Sequence, residues 1–298
     1  MMDRVLFDRH FLQTLDSLSF VARRIYRGDM RGAHASPRRG TSLDFADYRT
    51  YQPGDDFRAI DWSIYSRLDR LFIRQYAEEE DLTVHILLDT SGSMSFGTPP
   101  KIDYARKLAA ALGYVGIGSL DRVGISTFAA GLGGALAPHR GKGQLFHLLD
   151  YMSGLRAGSG TDIARSLEDY ALRSRNPGLA IVITDLLGVP LDGYRRGLSA
   201  LRFHEFDIVL VHVLDREEIA PSEEGYLRLS DIETRQSLAI AVDRSLLETY
   251  RRRLAAFFDS VESFCLKSRI EYLRAATIVP FEDVVLRYLR QGEHLHSR

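Results

Sequence analysis

From Leu82 to Val213, short apolar runs alternate with segments whose apolar residues recur every three to four positions, and few folds accommodate that rhythm. Leu82, Val84, Ile86, Leu87 and Leu88 form a run of strand length ending at Asp89. Tyr104, Ala105, Leu108, Ala109, Leu112 and Val115 then keep helical spacing. The pattern predicts strands at Val123–Phe128, Leu179–Ile183 and Phe206–Val213, with helices at Leu145–Met152, Ile163–Leu172 and Tyr194–Leu201. Strands alternating with helices predict a doubly wound, mostly parallel α/β sheet covered on both faces.

Outside this stretch the rhythm changes. Leu6, Phe7, Phe11, Leu12, Leu15, Leu18, Val21 and Ile25 have helical spacing, and Leu71–Tyr76 reads as a strand, so residues 1–80 form an N-terminal helix/strand extension. The remainder, 81–298, is the main domain. Near 216–242 it carries an insertion: Gly225–Leu229 and Gln236–Val242 read as a β-hairpin. Asp243 can cap a long helix over Ser245–Ser268, followed by a strand at Ile270–Leu273 and a helix over Glu282–Gln291.

The segment Asp89-Thr90-Ser91-Gly92-Ser93-Met94 lies where ligands bind in wound sheets, just past the carboxyl end of a buried strand. Gly160-Thr161-Asp162 and Thr184-Asp185 fall on the same predicted edge. Together these loops offer only oxygen: the hydroxyls of Ser91, Ser93 and Thr161 and the carboxylates of Asp89 and Asp185. Such a donor set suits a hard cation, Mg²⁺ or Mn²⁺. The competing reading is that Asp89, Ser91 and Ser93 cap backbone groups in a tight turn.

The Asp-x-Ser-x-Ser, Thr and Asp pattern resembles the metal-ion-dependent adhesion site of von Willebrand factor A domains, which are Rossmann-type α/β folds. The resemblance implies direct metal binding by Ser91, Ser93 and Thr161, and binding through water by Asp89 and Asp185. It also implies an open metal position that captures an acidic side chain of a partner protein. Leu186 stands where many such domains have glycine. A second resemblance covers almost the whole chain. Gly40, Phe45, Arg49, Tyr51, Pro53-Gly54-Asp55-Asp56, Arg58, Ile60-Asp61-Trp62 and Arg74 are similar to the signature of the domain of unknown function 58 family. That resemblance implies an adaptor or chaperone-like protein working beside a MoxR-type AAA+ ATPase.

Two surfaces are candidates for docking. Arg23, Arg24, Arg27, Arg31, Arg38 and Arg39 face a single acid, Asp29, in the loop-like stretch before the signature. Within the signature, Arg49, Arg58, Asp61 and Trp62 are expected either to pair and pack, holding the extension to the main domain, or to present a docking surface.

Composition narrows the function. There are 39 Lys and Arg against 40 Asp and Glu, for a formal net charge of −1, so no global field draws the chain to nucleic acid. No nucleic-acid motif accompanies the arginines. One cysteine, Cys265, and no run of about 20 apolar residues lead us to expect a cytoplasmic protein without a membrane span. The alternative is a metal-dependent phosphohydrolase using Asp89 as nucleophile. Against it, haloacid-dehalogenase-type enzymes use Asp-x-Asp, and Ser91 occupies the second position here. There is also no Gly-rich loop ending in Lys-Ser or Lys-Thr for ATP.

Overall fold

All seven residues of β3, Thr83–Asp89, are buried, which an amphipathic surface strand could not achieve. The structure, a computed structural model, describes residues 9–17, 45–52, 55–76, 82–119, 121–158, 160–188, 190–221, 224–232 and 236–295. Before β3 come a helix over 9–17 (α1), β1 (Phe45–Thr50), α2 (Trp62–Leu68) and β2 (Phe72–Tyr76). After it come α3 (Lys101–Gly118), β4 (Arg122–Phe128), β5 (Leu132–His139), α4 (Gly143–Gly154), α5 (Ile163–Arg173) and β6 (Leu179–Thr184). The chain continues with α6 (Gly193–Phe203), β7 (Asp207–Leu214), α7 (Arg216–Ile219), β8 (Gly225–Ser230) and β9 (Ser237–Val242). It ends with α8 (Arg244–Lys267), β10 (Glu271–Ala276) and α9 (Phe281–Leu295).

The main sheet has six strands in the order β10-β7-β6-β3-β4-β5. Only the β4–β5 pairing is antiparallel. Counted along the chain this is the 3-2-1-4-5-6 order of a doubly wound fold, so the direction of winding reverses between β3 and β6. The architecture is the expected doubly wound, mostly parallel α/β one, with a hairpin formed by β8 and β9.

Alternation along the strands separates two cores. Val84, Ile86 and Leu88 of β3 pack with Leu108 and Leu112 of α3, Leu148 of α4 and Val285 of α9. Phe11 and Leu15 of α1 join this layer, with the rings of Phe11 and Phe281 centred 5.3 Å apart. Leu87 points the other way, into a layer formed with Leu167 of α5, Leu198 and Leu201 of α6, and Val261 and Cys265 of α8. Gly113 and Gly116 let α3 lie close on the sheet. A Cβ at Gly116 would sit 3.0 Å from Val123 Cγ2.

Three features depart from expectation. β5 was not foreseen because Gly133, Gly134 and Pro138 disguise it, and these residues are tolerated because it is an edge strand. β1 and α2 were likewise unforeseen: β1 pairs with β2, and Asp61 caps α2 by accepting from Ser63 N at 2.9 Å. The Arg49, Arg58, Asp61 and Trp62 cluster does not form. Arg49 pairs with Asp55 at 2.8 Å, Asp61 accepts from Tyr48 Oη at 3.1 Å, and Arg58 lies over the Phe57 ring. Trp62 is 61% exposed beside Tyr65, because it occupies the first turn of a helix with no buried residue. Arg31, Arg38 and Arg39, and the remainder of the expected first helix, lie outside the described residues.

Candidate metal centre

The reversal between β3 and β6 puts Asp89 and Asp185 at adjacent strand ends, both almost fully buried. The connections leaving the two neighbouring strands turn to opposite faces at such a point, leaving a crevice lined by loops. Asp89 Oδ1 accepts from Ser91 N at 2.8 Å, and Asp89 Oδ2 accepts from Thr184 Oγ1 at 2.6 Å. The first bond is the tight-turn contact anticipated for this loop; the second crosses from β6. Burial, reinforced by the charge of Asp185, pushes the Asp89 carboxyl up to about 7 against the pull of these bonds.

The serines behave differently. Ser91 stands at the N-cap of the short turn Gly92–Ser95 yet makes no side-chain capping bond. Instead, Ser91 Oγ and Ser93 Oγ hydrogen-bond to each other at 3.0 Å. That matches the spacing of about 3 Å between neighbouring oxygens around an octahedral Mg²⁺ with bonds near 2.1 Å. The hydroxyl pair therefore fits a hard cation. Among the described residues, no three His, Cys, Asp or Glu side chains converge as a metal cluster, so a cation here would rest largely on hydroxyls.

Backbone contacts draw the third loop in. Gly158 N donates to Thr90 O at 3.2 Å, and Asp162 N donates to Ala129 O at 2.8 Å. Thr161 between them is half-buried, and its methyl would lie 3.1 Å from a Cβ at Gly188. The loops bearing Ser91, Thr161 and Asp185 are thus neighbours. Leu186 adopts φ 58°, the left-handed conformation that glycine takes most easily, and is held by its N–H bond to Thr184 Oγ1 at 3.0 Å.

Sequence reasoning missed the groups around Asp185. Lys101, the first residue of α3, is buried and donates from Nζ to Asp185 Oδ2 at 2.7 Å. The same ammonium contacts Glu218 Oε1. Burial alone would lower the Lys101 pKa, but Asp185 and Glu218 outweigh it and raise it above its ordinary value. Asp185 Oδ1 accepts from Leu187 N at 2.9 Å. His212 Nε2 is 3.0 Å from the Asp185 carbonyl oxygen and must donate to it, which leaves Nδ1 to accept from Tyr272 Oη at 2.8 Å. Glu218 is fixed by a capping box, in which Glu218 Oε2 accepts from Asp215 N at 2.8 Å. The Asp215-x-x-Glu218 spacing is a visible sequence signal for that box. Nothing local in the sequence announces that Lys101 reaches Asp185.

Comparison with known proteins places the chain among relatives without an assigned activity. The uncharacterized proteins Mb1516 of Mycobacterium bovis and Rv1480 of Mycobacterium tuberculosis are each 28% identical over 255 residues, spanning 84% of this chain and 79% of theirs. Among solved structures, the conserved hypothetical protein BatB from Bacteroides thetaiotaomicron aligns with a TM-score of 0.43 at 14% identity, over 71% of this chain and 99% of that one. The pilus adhesin SpaC from Lactobacillus rhamnosus GG aligns with a TM-score of 0.42 at 11% identity, over 74% of this chain and 31% of that one. Residues 47–257 match the family described as Protein of unknown function DUF58, and the chain belongs to that family.

Proposed function

We propose that this protein is a cytoplasmic, divalent-metal-dependent protein-interaction module. The observation that carries the reading is the Ser91–Ser93 hydroxyl pair, 3.0 Å apart and outside any capping role, at the strand edge where Asp89 and Asp185 meet. Ser91, Ser93 and Thr161 would hold Mg²⁺ or Mn²⁺ directly, with Asp89 and Asp185 as the acidic supports. When bound, the ion supplies a hard electrophile able to accept a carboxylate. The chain's own residues shape a site whose innermost donors are mostly neutral, which suits capture of an acidic side chain from a partner. The family resemblance supports a MoxR-type AAA+ ATPase as that partner.

The phosphohydrolase alternative receives less support. Both oxygens of Asp89 accept hydrogen bonds, from Ser91 N and Thr184 Oγ1, which favours a supporting role over a nucleophilic one.

The test is calorimetric titration of Mg²⁺ and Mn²⁺ into wild type and Asp89→Ala, together with affinity co-purification with and without chelator. Binding by wild type that Asp89→Ala loses, and a chelator-sensitive ATPase that Ser91→Ala/Ser93→Ala fails to retain, are the expected results. Equal binding by both proteins, or none by either, overturns the metal reading.

A further inference from the structure

The cation already present in this site belongs to the protein. Lys101 is buried, and its Nζ spans Asp185 Oδ2, at 2.7 Å, and Glu218 Oε1. The exposures of the Lys101 and Asp185 side chains are both 0%, and that of Glu218 is 17%. Fully buried lysines are rare because desolvating an ammonium is costly, so such a group persists only where carboxylates compensate it. Both oxygens of Asp185 are therefore committed, one to Lys101 and the other to Leu187 N. The hydroxyls of Ser91 and Ser93 meet each other. The site thus combines hydroxyl donors suited to a metal with an acid that an internal ammonium has neutralised.

We infer that Lys101 is a tethered competitor of the divalent cation: its ammonium holds Asp185 in the metal-free protein and keeps the site's metal affinity low. The inference rests on the metal reading above. Metal capture then competes with Lys101 for the charge of Asp185, and Glu218 is positioned to keep the ammonium paired as the Lys101–Asp185 contact weakens. Because Glu218 lies in α7 and its carbonyl accepts from Tyr250 Oη of α8 at 2.5 Å, that shift would be felt beyond the strand edge.

The test compares wild type with Lys101→Met, which keeps an unbranched side chain of similar length and removes the charge. Mg²⁺ and Mn²⁺ affinities are measured by calorimetry, and melting temperatures are taken in chelator and in excess Mg²⁺. Lys101→Met should melt lower without metal, bind Mg²⁺ about tenfold or more tightly than wild type, and gain more in melting temperature on adding Mg²⁺. If wild type binds Mg²⁺ and Lys101→Met binds no more tightly, this inference fails while the metal reading stands; if neither binds, both fail. Should Lys101→Met not fold without metal, Lys101→Met/Glu218→Gln removes one charge of each sign and still frees Asp185. It should bind more tightly than wild type as well, and unchanged affinity would overturn the inference.

Discussion

Thr184 Oγ1 donates to Asp89 Oδ2 at 2.6 Å across the point where the sheet reverses direction. The same oxygen accepts from Leu186 N at 3.0 Å, so one hydroxyl ties the end of β3 to the start of the Asp185 loop. A buried hydroxyl with both a donor and an acceptor role is expensive to remove, since each partner is left without its bond.

Thr184→Val keeps the side-chain shape and loses both bonds. Unfolding in urea should show a loss of about 1–3 kcal/mol with an unchanged m-value. A loss well below that range would mean that water replaces the hydroxyl.

Gly97 precedes α3 with φ 98°, and a Cβ there would lie 2.4 Å from Asp215 Oδ2. Gly97→Ala combines backbone strain with a clash against a buried carboxylate held by Thr277 Oγ1, which donates to Oδ2 at 3.1 Å, and by Glu217 N, which donates to Oδ1 at 3.0 Å. Thermal unfolding should show destabilisation of roughly 1–3 kcal/mol, larger than for Ala at Gly131, where a Cβ meets open space.

His85 is buried between Tyr170 Oη at 2.7 Å and Asn176 O at 3.0 Å, and burial lowers its pKa to about 4, only partly offset by the Asn176 carbonyl. Its folded value lies below the unfolded one of about 6.5, so the contribution of neutral His85 is complete above pH 6.5 and lost as pH falls towards 4. His85→Gln should start less stable at pH 7.5. Its deficit relative to wild type should shrink by about 1–3 kcal/mol by pH 4 in denaturant unfolding. Parallel pH curves would show that His85 does not titrate in this way.

Glu271 behaves with the opposite sign. Burial pushes it up to about 7, and its Oε1 has no hydrogen-bond partner among the described residues. A raised carboxyl contributes most below its unfolded value and loses that contribution as pH rises from about 4.5 to about 7. Glu271→Gln should therefore gain stability relative to wild type over that interval. After allowance for the partial exposure of the site, the gain is about 1 kcal/mol, measured by thermal unfolding at pH 4.5 and pH 8.

Much of this architecture was written in local pattern. The Leu82–Leu88 run and the helical spacing from Tyr104 to Val115 specify β3 and α3 because burial of one face imposes a period on the chain. The alternation also put Asp89, Ser91, Thr161 and Asp185 on one edge, since parallel strands joined by crossovers all end on the same side. β5 escaped because an edge strand tolerates Gly133, Gly134 and Pro138, which erase the usual signal. The exposure of Trp62 escaped because an aromatic side chain carries no local mark of whether its face of a short helix finds a partner.

What only the tertiary structure decided is who meets Asp185. Lys101 lies 84 residues earlier in the chain and Glu218 a further 33 beyond Asp185, and no periodicity relates them. The sequence determined that oxygen donors would gather at the β3–β6 crevice, because strand direction is enforced by hydrophobic burial along the whole chain. The packing of α3 and α7 over that crevice determined that a buried ammonium would share it, because a pairing of distant charges depends on the three-dimensional path that brings them into contact.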